Sequence, residues 1–293
     1  MHIKNSLVAM LLVLFMHACG GSTSEKKPTN IEEDNTSKPL TSEGMQPMSV
    51  YNQAYQENYA ADNMDDILAH AQNAYVLVDI FDENIQEDIQ KNIDTLIAKG
   101  NQIGAYISVG TGENYRDDFS ALEPYLTPIV WPEWPDEFFV SETTTGILAI
   151  MKKRIDAISS LGAQWVEFDN MDWLDEESRK KYSLKATVKE AKAYIHHLCK
   201  YTHSKGMKCM AKNTVEGFPL FDAVTYESYF NEKNWWDSKG TKDFLAQQKP
   251  VIIVHYDEKD CDGVYAGYKS LYKSDKISFI CEDKNLKQYK HYN

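Results

Sequence analysis

Acidic and amide side chains directly follow short apolar runs at several places along the chain. The clearest case is Asp169 with Asn170, after a run that ends at Phe168, and Glu227 ends a second run of this kind. Carboxylates that converge repel each other, so one of them keeps its proton near neutral pH while another is ionised. Cleavage of a glycosidic bond uses such a pair, an acid for the leaving oxygen and a carboxylate for the anomeric carbon. These residues therefore predict hydrolytic chemistry, provided that the fold brings them together.

The elements that would position them are eight runs of β-branched and aromatic residues, most of them separated by amphipathic segments. Helical periodicity is clear over residues 87–98, 147–160 and 184–204, and Gly100 and Gly206 stand where a helix should end before a strand. Near-continuous apolar strands that alternate with helices indicate an α/β fold with a parallel sheet. Eight such strands in about 245 residues predict a (β/α)₈ TIM barrel, with an open doubly wound sheet as the alternative. The predicted strands are 75–81, 102–109, 137–140, 164–168, 207–211, 223–227, 250–255 and 276–281.

In a TIM barrel the active site lies at the carboxyl ends of the strands, so the polar residues there should share one rim. A solvated end or a loop cap is the alternative for any one of them. The residues at these ends are Asp79 and Asp82, Glu113, Asp169 with Asn170 and Asp172, Lys212 with Asn213, Glu227, His255 with Asp257, and Glu282 with Asp283.

Other catalytic classes have less support. The G-x-S-x-G and H-E-x-x-H motifs are absent, and Gly110-Thr-Gly112 lacks the third glycine of a dinucleotide-binding loop. A carboxylate-rich rim could also hold a divalent cation, and a metal-dependent hydrolase using Asp79, Asp169 and His255 is an alternative hypothesis. The spacing of a dedicated calcium loop is absent, and we predict neither a metal nor a cofactor.

The N-terminus predicts export and a lipid anchor. Lys4 precedes a short apolar run at 7–15, and Ala18 stands directly before Cys19, an arrangement that resembles a bacterial lipoprotein signal. We therefore expect a signal peptide over 1–18, lipidation of Cys19, a flexible polar tether over 19–48 and a single folded domain over 49–293. A plain signal peptide with an incidental cysteine is the alternative. The predicted location is the periplasmic or cell-surface side of a bacterial membrane.

The amino-acid composition limits the kinds of partner that the protein can be expected to bind. The formal net charge of −13 disfavours nucleic acid, which is bound through lysine and arginine contacts to phosphates. Aromatic residues make up 12% of the chain and could stack against sugar rings, so a polysaccharide is the expected partner of what we predict to be a monomer. Of the four cysteines beyond Cys19, Cys261 and Cys281 could form a disulfide, since export permits one.

Several segments together resemble glycoside hydrolase family 114, the endo-α-1,4-polygalactosaminidases. Residues 166–172 are similar to the family's V-E-P-D-N-x-D signature, with Phe168 in place of proline, and residues 105–116 are similar to its Y-I-S-V-G-x-x-E-x-x-R segment. Trp131 and Glu137 match a tryptophan- and glutamate-containing segment, and the helix around Arg154 and the later strand ends also correspond. The resemblance extends from about Tyr75 to the C-terminus.

The resemblance implies a TIM barrel that hydrolyses α-1,4-linked galactosamine polymers. It places the nucleophile at Asp169 and the acid/base at Glu227, which in a retaining enzyme stand about 5–5.5 Å apart. A non-catalytic carbohydrate-binding lipoprotein on the same barrel is the alternative function. The residues expected to bind or position substrate are Asp79, Tyr106, Glu113, Arg116, Asn170, Lys212 and His255.

Overall fold

A computed structural model describes residues 48–54, 60–214, 219–229, 240–256, 260–272, 276–282 and 289–292. The predicted signal peptide, Cys19 and most of the tether lie outside this range, as do Asp257, Asp283 and the side chains of Asp172 and Glu282. Within these ranges, every helix is too short or too polar to cross a membrane.

Eight parallel strands form a nearly closed barrel, which confirms the predicted TIM barrel. The strands pair in the order β1-β2-β3-β6-β7-β8-β9-β10, and β11 is antiparallel to β10. At the remaining junction the Met48 backbone N–H donates to Ser278 Oγ at 3.1 Å, which joins the start of β1 to β10. The strands are β1 Val50–Asn52, β2 Tyr75–Val78, β3 Gln102–Ser108, β4 Thr111–Glu113, β5 Glu137–Phe139, β6 Trp165–Asp169, β7 Lys208–Lys212, β8 Ala223–Tyr229, β9 Val251–Tyr256, β10 Ile277–Glu282 and β11 Tyr289–Tyr292.

Helices occupy most of the connections and cover the barrel. The longest, α6, begins with a capping box in which Thr187 Oγ1 accepts from the Glu190 N–H and Glu190 Oε2 accepts from the Thr187 N–H. The α-helices are α1 Ala60–His70, α2 Ile89–Ala98, α3 Phe119–Leu122, α4 Thr145–Ser160, α5 Glu176–Lys181, α6 Val188–Ser204, α7 Thr241–Ala246 and α8 Cys261–Tyr272. Short 3₁₀ turns span Gln86–Asp88, Glu123–Tyr125 and Met171–Leu174.

Alternation along the strands separates an inner from an outer set of side chains. In β6, Val166 and Phe168 belong to the large apolar layer between barrel and helices, whereas Trp165 belongs to the smaller cluster inside the barrel. Asp169 shares the inward parity of Trp165 because successive side chains of a strand point to opposite faces. Phe168, which replaces the proline of the family signature, faces outward and packs edge-on against Phe221, with 5.9 Å between the ring centres.

Two strand predictions are corrected. Residues 137–140 do not enter the barrel: β5 pairs in antiparallel fashion with β4, with Glu113 opposite Glu137. This hairpin belongs to residues 111–140, which connect β3 to α4 and which we call the rim insert. The missing eighth strand is β1, which is too short to have been found by pattern. The two errors cancel in the count, so Asp169 does end the fourth barrel strand.

Disulfides join two pairs of cysteines, Cys261 with Cys281 and Cys199 with Cys209. The first is the pair considered from sequence, and it ties the start of α8 to β10. The second ties α6 to the start of β7, and His203 Nε2 lies 3.8 Å from both of its sulfur atoms. Only with this disulfide reduced would Cys199, Cys209 and His203 be able to bind a metal ion through two thiolates and the imidazole.

Candidate active site

The inward-facing residues at the carboxyl ends of three neighbouring strands form the centre of the site. They are Asp169 on β6, Lys212 on β7 and Glu227 on β8. Lys212 Nζ donates to Asp169 Oδ2 at 2.9 Å and lies 3.2 Å from Glu227 Oε2. Since one ammonium contacts both oxygens, Asp169 Oδ2 and Glu227 Oε2 are separated by at most the sum of those distances, about 6 Å.

An asparagine follows Asp169 and another follows Lys212, each with a left-handed backbone. The φ angles are 58° at Asn170 and 60° at Asn213, a conformation that asparagine tolerates better than most residues. Asn170 donates its backbone N–H to Asp169 Oδ1 at 2.6 Å. Asn213 donates from Nδ2 to Glu227 Oε2 at 2.9 Å and accepts the Glu227 backbone N–H at 2.9 Å. Each carboxylate is thus held by the turn beside it.

Burial and neighbouring charges act in opposite directions on the ionisable groups of this centre. Burial raises the pKa of Asp169, and the nearby charge of Glu227 adds to that effect, while Lys212 opposes it. Burial alone would lower the pKa of Lys212, but Asp169, Glu227 and Glu167 together hold it above its usual value. The lysine therefore stays charged between two carboxylates, whose mutual repulsion is reduced by its presence.

A third carboxylate, Glu137, reaches the site from the rim insert. Its Oε2 accepts from Asn170 Nδ2 at 2.8 Å and from Thr111 Oγ1 at 2.5 Å. Burial raises the pKa of Glu137 to about 7, and Glu113 and Asp169 reinforce the effect. Glu137 thereby orients the asparagine that holds Asp169. The sequence marked Glu137 only through the family motif, because its chain position is 33 residues from Asn170.

A charged network on the other side of the mouth joins three of the predicted site residues. Arg116 Nη2 donates to Asp79 Oδ2 at 2.6 Å and to Glu113 Oε1 at 2.9 Å, and Arg116 Nε donates to Glu113 Oε2 at 3.0 Å. Burial raises the pKa of Asp79, an effect that Arg116 opposes. Tyr106 faces inward, with its hydroxyl 3.5 Å from Glu113 Oε1. Asp79, Tyr106, Glu113 and Arg116 are thus brought together as expected.

The structure places His255 away from this group. Val251 and Ile253 of β9 face outward and Ile252 and Val254 face inward, so His255 has the outward parity. Its ring stacks on Phe279 at 6.1 Å, beneath α8. The structure therefore does not bring His255 together with Asp79 and Asp169, as the metal-dependent alternative required.

Tyr256, the next residue of β9, stands in the site instead, and its hydroxyl donates to Glu227 Oε1 at 3.1 Å. Side chains alternate along β9, so extending the alternation by one residue beyond His255 would have predicted from the sequence that Tyr256 faces inward. Glu167, two residues before Asp169, also faces inward and is fully buried. Its carboxyl oxygens have no partner in hydrogen-bonding geometry, although Thr225 lies near enough to favour the ionised form. Burial raises the pKa of Glu167 to about 8.

A family model described as glycoside-hydrolase family GH114 matches residues 46–293. The chain belongs to glycoside hydrolase family 114. Membership in this family supports glycosidase activity. The matched residues include all eight barrel strands and Asp169, Lys212 and Glu227. A search of curated proteins found no match.

Two solved structures show the same fold. The chain is similar to Ega3 of Aspergillus fumigatus, solved in complex with galactosamine, at 18% identity and a TM-score of 0.64, over 88% of this chain and 100% of that one. It is also similar to the glycoside hydrolase domain of PelA from Pseudomonas aeruginosa, at 15% identity and a TM-score of 0.57, over 84% of this chain and 97% of that one. At these identities the likeness establishes the fold alone.

Proposed function

We propose that the chain is an exported glycosidase that cleaves α-1,4-linked, galactosamine-containing polysaccharide with retention of configuration. The observation that carries the proposal is the contact of one lysine, Lys212, with both Asp169 and Glu227. Retaining glycosidases place their carboxyl groups about 5–5.5 Å apart, whereas inverting enzymes need about 6.5–9.5 Å to admit a water molecule. The two lysine contacts put an upper bound of about 6 Å on the distance between Asp169 Oδ2 and Glu227 Oε2, which is compatible with the retaining arrangement.

In the first step Asp169 attacks the anomeric carbon and the glycosidic C–O bond breaks. Glu227 gives its proton to the leaving oxygen, so the leaving chain departs as a neutral alcohol and a glycosyl ester forms on Asp169. In the second step Glu227 takes a proton from water, whose oxygen displaces Asp169 at the same carbon. The exposed fractions of the side chains agree with these roles, since Glu227 is 22% exposed and can meet water, while Asp169 is 11% exposed.

The donors around Asp169 support its role as the nucleophile. A nucleophile must be ionised, and both Lys212 and the Asn170 N–H donate to this carboxylate. Glu227 sits between Tyr256 and Asn213, which fix its orientation from both sides. These contacts cost nothing to arrange during the reaction because they exist beforehand.

Charge supports an amino-sugar substrate. The chain carries a net charge of −13, and the mouth of the barrel gathers Asp79, Glu113, Glu137, Asp169 and Glu227 around the cations of Arg116 and Lys212. A polymer with free amino groups is cationic at neutral pH, so an acidic site attracts it. The family and the galactosamine bound to Ega3 point to the same class of sugar.

The test is polymer cleavage by two conservative variants, Asp169→Asn and Glu227→Gln, followed as reducing ends released from partly deacetylated α-1,4-galactosamine polymer. Each should lower kcat by at least about a thousandfold while thermal unfolding stays close to that of the wild type. Asp94→Asn is the matched control, since Asp94 is exposed on α2 and, within the described part of the chain, its carboxylate accepts only from Gln90 of the same helix. Full turnover by both site variants would refute the assignment, and binding without cleavage by the wild type would favour the non-catalytic alternative.

We also propose that Cys19 anchors the enzyme to the membrane. The support is the run of apolar residues before Ala18-Cys19 and the polar stretch after it. Mass spectrometry of the N-terminal peptide from cells should show a diacylglycerol on Cys19, and Cys19→Ala should release the protein from the membrane fraction. An unmodified Cys19 in the mature protein would refute the anchor.

A further inference from the structure

Within the described part of the chain, most of the exposed large apolar side chains lie on the rim insert. Among the described residues, five large hydrophobic side chains are notably exposed, and four of them belong to residues 111–140. Two are aromatic, Tyr115 at 61% and Trp134 at 48% exposed. The others are Ile129 and Val130 on the same insert and Leu271 on α8. Exposed apolar residues that are grouped on one segment, and not scattered singly, suggest a binding surface.

The two aromatic residues lie on the two neighbouring chain segments that leave β4 and enter β5, just beyond the last paired residues of this hairpin. The pairing of Glu113 with Glu137 continues outward, where the Asn114 N–H donates to the Asp136 carbonyl at 2.9 Å. Tyr115 follows on one segment and Trp134 precedes Asp136 on the other. The Trp134 carbonyl accepts the Glu137 N–H at 2.9 Å, which ties this turn to the hairpin.

Direct contacts connect this end of the hairpin to the reacting carboxylates. The Tyr115 hydroxyl donates to Glu113 Oε1 at 2.8 Å, and the Arg116 guanidinium lies 4.9 Å from the centre of the Tyr115 ring. On the other segment Glu137 holds Asn170, whose N–H holds Asp169. Tyr115 therefore contacts the charged network at the mouth of the barrel directly, and Trp134 is close in the chain to Glu137, which contacts Asn170.

Charge identifies what this surface would bind. Residues 111–140 contain seven acidic residues and one basic residue, and Asp117, Glu133 and Asp136 are exposed within two residues of Tyr115 or Trp134 in the sequence. Apolar sugar faces stack on aromatic rings, and acidic neighbours attract amino groups. An uncharged glycan would gain only the first of these contributions, whereas a cationic amino-sugar chain gains both.

On the basis of the proposed function, we infer that Tyr115 and Trp134 form an aromatic subsite that binds further units of a cationic amino-sugar polymer beyond the reacting bond. Stacking on this subsite secures a long chain across the mouth of the barrel. The enzyme should therefore prefer long chains and cut within them. The subsite is separate from the two carboxylates and contributes through binding alone.

The experiment measures affinity and cleavage separately, in the full-length protein. Affinity for partly deacetylated galactosamine polymer is measured by calorimetry with the Asp169→Asn protein, which does not consume its ligand under the proposed function. Adding Trp134→Ala should weaken this affinity about tenfold, as expected for removing a central aromatic contact. Leu271→Ala is the matched control, because Leu271 is 51% exposed but lies on α8, and it should leave the affinity unchanged.

In the otherwise wild-type enzyme, Trp134→Ala should raise the KM for polymer by a similar factor and the KM for a galactosamine trimer much less. Two results would overturn the subsite: polymer affinity equal to that of the Leu271→Ala control, or a loss that is the same for trimer and polymer. Weaker binding of the fully N-acetylated polymer is expected, and equal binding would overturn the role of the acidic neighbours. If the wild type binds polymer through Trp134 but never cleaves it, the proposed hydrolysis fails while the subsite stands.

Discussion

Replacing Lys212 with methionine removes the cation between the two carboxylates and keeps the volume of the side chain. In the native site Lys212 Nζ lies 2.9 Å from Asp169 Oδ2 and 3.2 Å from Glu227 Oε2. Without it, the Asn170 N–H is the one remaining donor to Asp169 among the described residues, and burial together with Glu227 raises the pKa of Asp169 further. A protonated Asp169 cannot attack the anomeric carbon.

The size of the effect follows from Coulomb's law. Unit charges about 4 Å apart interact by about 4 kcal/mol at an effective dielectric constant of about 20. At about 1.4 kcal/mol per pKa unit this corresponds to roughly three units, and screening by the water that already reaches the partly exposed Glu227 reduces it to roughly two. The acidic limb of the kcat/KM profile should therefore move to higher pH by roughly two units.

The assay is reducing-end release from polymer between pH 4 and pH 9 by the wild type and Lys212→Met. The variant should lose about a hundredfold in kcat/KM on the acidic side and recover part of it as the pH rises. Lys208→Met serves as the control, since Lys208 begins the same strand and lies over the Trp165 ring at the opposite end of the barrel. An acidic limb that stays in place in Lys212→Met would refute the argument that this lysine keeps Asp169 ionised.

Three further predictions concern residues around the site. Glu167 has a pKa of about 8 in the fold and about 4.5 when unfolded, so the folded state binds more protons between these values and stability falls as pH rises through that window. Chemical denaturation at pH 5 and pH 8 should show a smaller decline for Glu167→Gln than for the wild type, and equal declines would contradict the burial argument. Gly110→Ala should lower the unfolding free energy by about 1–3 kcal/mol and reduce kcat, because the added Cβ would stand 1.6 Å from the Asn170 carbonyl oxygen. Native activity and stability in this variant would show that the backbone can move to make room for the methyl group. His255→Gln should lower the melting temperature while kcat/KM stays within about twofold of the wild type, as expected for a residue packed outside the barrel, and a selective loss of kcat would return it to the site.

The centre of the site was within reach of the sequence for a geometric reason. Residues 169, 212 and 227 lie at or near the carboxyl ends of three successive strands, and successive strands of a TIM barrel are neighbours. Lys212 therefore had to lie between the two carboxylates once the strands were placed. Whether the Lys212 ammonium contacts both carboxylates depends on interatomic distances, which alternation and strand order do not determine.

The errors have physical causes as well. Residues 137–140 have the composition of a barrel strand, and only their pairing with β4 across more than twenty residues of chain excludes them. β1 is three residues long and follows a polar stretch, so it gives no periodic signal. His255 was chosen because a histidine ends an apolar run, yet the alternation along β9 directs Tyr256 inward.

Long-range ion pairs were the least predictable part. Arg116 reaches Asp79 across 37 residues of sequence, and nothing local in either segment indicates the other. The resemblance to family 114 named both residues but assigned no contact between them. Their pairing depends on how the rim insert folds back over the mouth, which is a property of the whole barrel.

The configuration of the first product tests the proposed retaining mechanism most directly, because a double displacement through Asp169 and a single displacement by water give opposite anomers. Proton NMR of α-1,4-galactosamine oligosaccharide during the first minutes of cleavage distinguishes the anomers before they equilibrate. The α-anomer should appear first, since two displacements through Asp169 restore the original configuration. Initial release of the β-anomer would show a single displacement by water and would contradict the retaining mechanism.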